Sequence, residues 1–299
     1  MNNKKLYLID IFTILYQGYY AYIKKPLYTS TGINTSPIIH FTYFIINLLH
    51  EEKPAYMAAF FDNNKKSFRK KEYPQYKAHR KKIPKDISIS IPYIKKILKS
   101  FRIFFMDSKN GYEADDMIGT IAKEAEKKGY VIYIISIDKD FNQIVSKNIY
   151  VYRPPFKKNS KEIFGIEEVK KKFCIQHPRQ IIDLLSMMGD PSDHIPGLPG
   201  IGKKNAIKFI KKYGSLDNFF QSTHDLHGKM KQNIENNKQL GFLSRKLATI
   251  VTNIPFLFFQ EKKYLIKKPN LNSIEKIFSE LEFKKPLKIF FKYLNNKEK

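Results

Sequence analysis

The sequence predicts an α/β fold with a central, mainly parallel sheet, followed by a helical region. Short apolar runs alternate with amphipathic stretches through the first half, several of those runs end in Asp, and strand-like runs cease near residue 166. Lys4–Asp10 reads as the first strand. Pro37–Glu51 carries apolar residues at helical spacing, and Ala55–Asp62 is a second, fully apolar strand. Ile87–Phe101 reads as a helix and Ile103–Met106 as a strand. Glu113–Lys128 is an amphipathic helix ended by Gly129; Tyr130–Ile137 and Ile149–Arg153 complete the strands. The expected division is a first domain over 1–165 and a helical region over 166–299, with Gln260–Asn272 a polar connector before the last two helices.

Composition narrows the function classes. A chain of 299 residues with 42% hydrophobic side chains can bury a core, so it is not a basic disordered tail. No apolar run reaches the length of a membrane span, and the start, MNNKKLYLID, lacks a secretory h-region. The single cysteine, Cys174, rules out an internal disulfide and a Cys-based zinc site, and fits a reducing cytoplasm. The formal charge of +26 points to a polyanionic partner, nucleic acid first. Only six of the 54 basic residues are Arg, and Trp is absent, so part of that charge reads as drift in an AT-rich genome.

In so basic a chain the acids are informative. Asp10, Asp62 and Asp138 each follow an apolar strand, and the carboxyl ends of parallel strands form the crevice where such sheets bind ligands. Asp140 lies two residues after Asp138. Glu113, Asp115 and Asp116 open a helix; Asp190 and Asp193 lie in MMGDPSDHIPG. Clustered carboxylates repel and raise one another's pKa, and hard divalent cations relieve that repulsion. Two such ions support phosphodiester hydrolysis. Any one of these acids could equally be a helix cap or a first-turn residue facing the macrodipole.

Two further segments fit a polyanion. GLPGIGKKNAIKFIKKYG, at about 194–213, is a helix-hairpin-helix pattern: Gly197, Gly200 and Gly202 allow close approach of a phosphate, and Lys203 and Lys204 add charge at a helix start. Residues 63–85 hold ten Lys/Arg and one acid, with Phe68, Tyr73 and Tyr76 interleaved, a composition suited to holding a single-stranded 5′ end. His224 and His227 form HxxH with no further ligands near them, which reads as chance.

Together FDNNKKSFR, YPQYKAHR, YEADDMIGTIAKEAE, IDKDFNQIV, IIDLLSMMGDPSDHIPGLPGIGKKNA and LSRKLATI resemble the 5′–3′ exonuclease domain of bacterial DNA polymerase I, within the 5′-nuclease (flap endonuclease) family, over essentially the whole chain. The resemblance implies a PIN-like nuclease domain with a helical arch at about 63–100 and a helix-hairpin-helix. It implies two Mg²⁺ ions, with Mn²⁺ as substitute and K⁺ at the hairpin. The implied activity is metal-dependent 5′–3′ exonuclease and flap cleavage of DNA, with removal of RNA primers in replication and repair. Implied partners are DNA with 5′ flaps, nicks or primers, and a separate polymerase and ligase; a cytoplasmic monomer is expected. By motif position, Asp10, Asp62, Glu113, Asp115 and Asp116 fall in a first metal cluster and Asp138, Asp140, Asp190 and Asp193 in a second. Lys77 and Arg80 match residues contacting the scissile phosphate, Tyr76 a stacking position, and Arg69 a residue meeting the threaded strand. Ile11, Gln17, Ile137 and His194 depart from the usual pattern while every carboxylate is kept. The alternatives are a catalytically decayed DNA-binding repair protein and a PIN-type ribonuclease.

Overall fold

The computed structural model describes residues 4–63, 67–156 and 160–297, with side chains to Lys292. Six strands form one sheet in the order β3-β2-β1-β4-β5-β6. They are β1 (Lys5–Asp10), β2 (Tyr56–Phe61), β3 (Phe104–Asp107), β4 (Val131–Ile135), β5 (Ile149–Arg153) and β6 (Glu162–Phe164). The first five run parallel, and β6 pairs antiparallel to β5. Chain order runs one way from β1 to β2 and β3, then crosses to β4 and β5 on the other side. The topological switch point therefore lies between β1 and β4, with Ile9 opposite Ile135 at its rim.

Strand side chains alternate between the two faces, and each face has its own core. Leu6, Leu8, Ala58, Phe60, Ile132 and Ile134 point to one core, which α5 (Ala114–Lys127) covers. Tyr7, Ile9, Met57, Ala59, Phe61 and Ile135 point to the other, beneath α1 (Ile11–Tyr22), α2 (Ser36–Glu51) and α4 (Lys85–Ser100). The α1 helix has no counterpart in the sequence reading: its IFTILYQGYYAY run is apolar or aromatic almost throughout, so helical periodicity is hidden.

The expected arch is only partly helical. It begins with α3 (Phe68–Glu72), and 74–79 are turns before α4 starts at Lys85. Pro74 and Pro84 disfavour helix at the residues before them, and Lys77 adopts a left-handed φ of 54°. Lys65 and Lys66 of the basic segment lie outside the described residues.

Beyond β6 come α6 (Ile166–Phe173), α7 (Gln180–Met188), α8 (Lys203–Tyr213), α9 (Leu216–Gln221), α10 (Gly228–Asn236) and α11 (Lys238–Ala248), then α12 (Glu261–Tyr264), α13 (Leu271–Glu280) and α14 (Lys284–Lys297). The change to helices near 166 is as expected, but packing crosses it. α13 lies on α4 and α14 on α2, so Ile274, Phe278 and Phe290 belong to the core under the sheet. The polar 260–272 connector also packs against the sheet. Leu265 bridges Tyr56, the Ile266 N–H donates to the Ala55 carbonyl at 2.9 Å, and Tyr264 is buried. β3 starts alongside Ala58, so the earlier part of β2 has a free edge that this segment fills.

Candidate active site

A cleft of about 710 Å³ opens at the carboxyl ends of the parallel strands, over the switch point. Asp10, Asp62, Glu113, Asp115 and Asp138 line it, together with Lys77, Arg80, Lys81 and Lys82. Five carboxylates, from the ends of three strands and the start of α5, thus meet one basic rim.

Asp10 ends β1 and also caps α1, accepting from the Phe12 N–H at 3.2 Å; its Oδ2 accepts from Thr13 and Ser136 hydroxyls at 2.7 and 2.9 Å. Asp62 accepts from the Ser108 hydroxyl at 2.9 Å. Asp138 accepts from the Asp140 N–H at 2.9 Å. The cap role and the cleft-facing role therefore coexist. Burial, then the charges of Asp138 and Asp10, hold the Asp115 carboxyl well above the ordinary Asp range. Burial likewise raises Asp10, Asp138 and Asp140. For Glu113 burial acts upward, but Lys77 and Arg69 outweigh it and pull the carboxyl down to about 2.

The second acidic group is held by cations. Asp190 is buried, 2.8 Å from Lys139 Nζ, and accepts from the Ser192 N–H and hydroxyl. Asp193 pairs with Arg80 and stands 3.5 Å from Lys77 Nζ. Asp140 Oδ1 is buried without a hydrogen-bond partner among the described residues. Oxygen-only donors, raised carboxyls and this orphaned oxygen suit a hard divalent cation. Among the described residues, however, no three acidic, His or Cys side chains converge as a formed metal site. Lys77, Arg80 and Lys139 take up part of the carboxylates' charge.

Four expected site residues are placed elsewhere. Asp116 is fully buried, and its two oxygens accept from Arg69 Nη1 and Nη2 at 2.8 and 2.7 Å, the Glu113 N–H at 3.0 Å and the Val251 N–H at 2.9 Å. All its acceptor positions are used, so it is a strut and not a metal ligand. Arg69 is equally buried and also donates to the Leu247 and Thr249 carbonyls at 2.9 and 2.6 Å, which removes it from any threaded strand. Tyr76 is 3% exposed, with its hydroxyl 3.2 Å from Glu113 and 3.4 Å from Asp193, so its ring has no free face for a base. Gly197 is a packing residue: a Cβ there would lie 2.3 Å from the Gly189 nitrogen, and its N–H donates to the Ser244 hydroxyl at 2.9 Å.

The rest of the hairpin is open to solvent. Gly200, with φ of 80°, and Gly202 are exposed with nothing near a Cβ, and α8 starts after Gly202 with Lys203 and Lys204 exposed. Sequence reading missed Thr13 and Ser136, although their positions three residues after Asp10 and two before Asp138 were the available signal. His224 sits 3.3 Å from Asp225, with no metal-binding group among the described residues.

Residues 5–174 match the family model described as 5′-3′ exonuclease, N-terminal resolvase-like domain, and 176–272 match the model described as 5′-3′ exonuclease, C-terminal SAM fold. The chain belongs to the 5′-3′ exonuclease family. It is 35% identical over 285 residues to a protein named 5′-3′ exonuclease from Aquifex aeolicus, covering 95% of this chain and 94% of that one. It is 36% identical over 286 residues to DNA polymerase I of Caldicellulosiruptor bescii, and there it spans only 33% of the relative. Among solved structures, the bacteriophage T5 flap endonuclease, determined with DNA and metal ions, aligns over 99% of this chain and 100% of its own at TM-score 0.67 and 20% identity. The catalytic core of Rad2 with DNA substrate aligns over 97% and 92% at TM-score 0.64 and 17% identity. These last two share the fold with this member of the 5′-3′ exonuclease family. Among the described residues no helix is long and apolar enough to cross a membrane.

Proposed function

We propose that the protein is a structure-specific 5′–3′ exonuclease and flap endonuclease that hydrolyses phosphodiester bonds at DNA 5′ ends and removes RNA primers in replication and repair. The supporting observation is the convergence of Asp10, Asp62, Glu113, Asp115 and Asp138 on one cleft at the switch point, with Lys77 and Arg80 at its rim. Asp10, Asp62, Glu113 and Asp115 would hold one Mg²⁺, and Asp138, Asp140, Asp190 and Asp193 a second; Mn²⁺ would substitute. Bound there, the ions supply positive charge that neutralises the carboxylates and stabilises charge developing on the phosphate.

The chain's own groups do the rest. Lys77 Nζ and the Arg80 guanidinium donate to the scissile phosphate and offset its developing charge. Lys70, Lys81 and Lys82 line the approach. Gly200, Gly202, Lys203 and Lys204 grip a duplex phosphate at the start of α8, with K⁺ a further ligand of that turn. On this reading 1–165 form the nuclease body, 166–299 contribute the duplex grip, and the protein acts as a cytoplasmic monomer with a polymerase and a ligase as functional partners.

A 5′-labelled DNA flap incubated with Mg²⁺ tests the proposal. Cleavage of the flap, its loss in EDTA and its loss in Asp115→Ala are expected. Cleavage that survives EDTA overturns it. Salt-sensitive binding without turnover would identify a decayed scaffold, and preference for an RNA hairpin would identify a ribonuclease.

A further inference from the structure

The side chains of Thr13 and Ser136 meet beneath Asp10, and their contacts share one pattern. Thr13 Oγ1 donates to Asp10 Oδ2 at 2.7 Å and accepts from the Ile137 N–H at 3.3 Å. Ser136 Oγ donates to the same Oδ2 at 2.9 Å and accepts from the Asp138 N–H at 3.1 Å. Both residues are buried, and their oxygens are 3.1 Å apart. Each hydroxyl has one proton, and an ionised Asp10 takes both.

Two consequences follow. Asp10 and Asp138 repel each other across the switch point, and the hydroxyl pair ties the start of α1 to the chain after β4, fixing their spacing. The pair also fills both acceptor positions of Oδ2, which leaves Oδ1, 3.2 Å from the Phe12 N–H, as the oxygen that can turn to a cation. We propose that Thr13 and Ser136 are positioning residues that fix Asp10 as a one-oxygen ligand for a divalent cation and hold Asp138 in register with it. This rests on the metal-dependent reading above. It adds two hydroxyls outside the acidic set, acting through Asp10 as outer partners of metal ligands do.

The test is calorimetric titration of the intact protein with Mn²⁺, without DNA. Thr13→Val keeps the shape and removes the hydroxyl, Thr13→Ser keeps the hydroxyl, and Ser136→Ala removes the second one. Thr13→Val and Ser136→Ala are each expected to weaken Mn²⁺ binding about ten-fold, while Thr13→Ser stays near wild type. Affinity for flap DNA in EDTA should be unchanged in all three, because the proposed duplex grip at Gly200, Gly202, Lys203 and Lys204 involves neither residue. If both hydroxyl-free variants bind Mn²⁺ as the wild type does, or Thr13→Ser loses as much as Thr13→Val, the proposal is overturned. Should Ser136→Ala fail to fold, the two Thr13 variants decide alone. A wild-type protein that binds no Mn²⁺ defeats the metal-dependent function itself, a result distinct from wild-type binding with indifferent variants.

Discussion

The ammonium of Lys77 lies 2.7 Å from Glu113 Oε2, where both side chains are almost wholly shielded from solvent. Lys77 reaches that point from a left-handed turn, held by its own N–H donating to the Asp193 carbonyl at 2.9 Å. A cation of the arch is thereby aimed at the acids of the cleft and not at bulk water.

Lys77→Ala and Arg80→Ala should each lower single-turnover flap cleavage by about 10²–10³-fold, the scale for losing one transition-state donor. Binding to flap DNA should change far less. Rapid-quench kinetics with saturating enzyme separate the two, and unchanged cleavage rates would remove both residues from the chemistry.

The Arg69–Asp116 bridge calls for a different outcome. Removing either partner leaves a buried charge alone, so Arg69→Ala should cost about 3–5 kcal/mol in urea unfolding. Arg69→Lys should not rescue it, because a single ammonium cannot reproduce the two-pronged contact and the two carbonyl bonds. A loss of DNA affinity in a fully stable Arg69→Ala protein would return Arg69 to the substrate path.

Stability should depend on pH in two opposed ways when metal is chelated. A carboxyl raised on folding contributes stability at low pH that is lost as pH rises through its folded value; Asp10, Asp115, Asp138 and Asp140 are of this kind. Glu113, lowered to about 2, contributes above the ordinary Glu value and loses that contribution as pH falls from about 4 toward 2. In EDTA the melting temperature should rise as pH is lowered from neutral and these carboxyls protonate, then fall below about pH 4. Saturating Mg²⁺ should flatten the neutral side. A melting temperature that only falls as pH is lowered from neutral in EDTA would contradict the assignment of mutually repelling carboxylates.

The hairpin glycines should separate by phenotype. Gly197→Ala drives a Cβ into the Gly189 backbone, where φ at both residues is near 70°, and should destabilise the fold. Lys203→Ala and Lys204→Ala should leave the melting temperature unchanged. Each should lower the slope of log affinity against log salt by about 1. Equal salt slopes in variant and wild type would exclude these lysines from phosphate contact.

The parallel sheet was legible because its strands are apolar runs closed by Asp, and the acidic cleft because those Asp residues stand at strand ends. What escaped depends on distant partners. Nothing near Arg69, Asp116 or Tyr76 in sequence announces that Leu247, Thr249 and Val251 will close over the first two, or that Asp193 will meet the third. A motif fixes the side chain's type, but burial decides whether it faces a ligand or braces one. The β6 strand was missed because it offers only three residues, and α1 because its aromatic run has no polar stripe.

The Arg69 bridge and the α13–α4 packing lie at opposite feet of the arch. One foot is pinned to α5 and to the segment after α11; the other continues into a helix braced by the far end of the chain. The span between them, residues 73–84, carries Lys77 and Arg80, and its Tyr76 is itself buried against Glu113 and Asp193. Both cations of that span meet Asp193, so a single carboxylate couples the arch to the turn that follows α7.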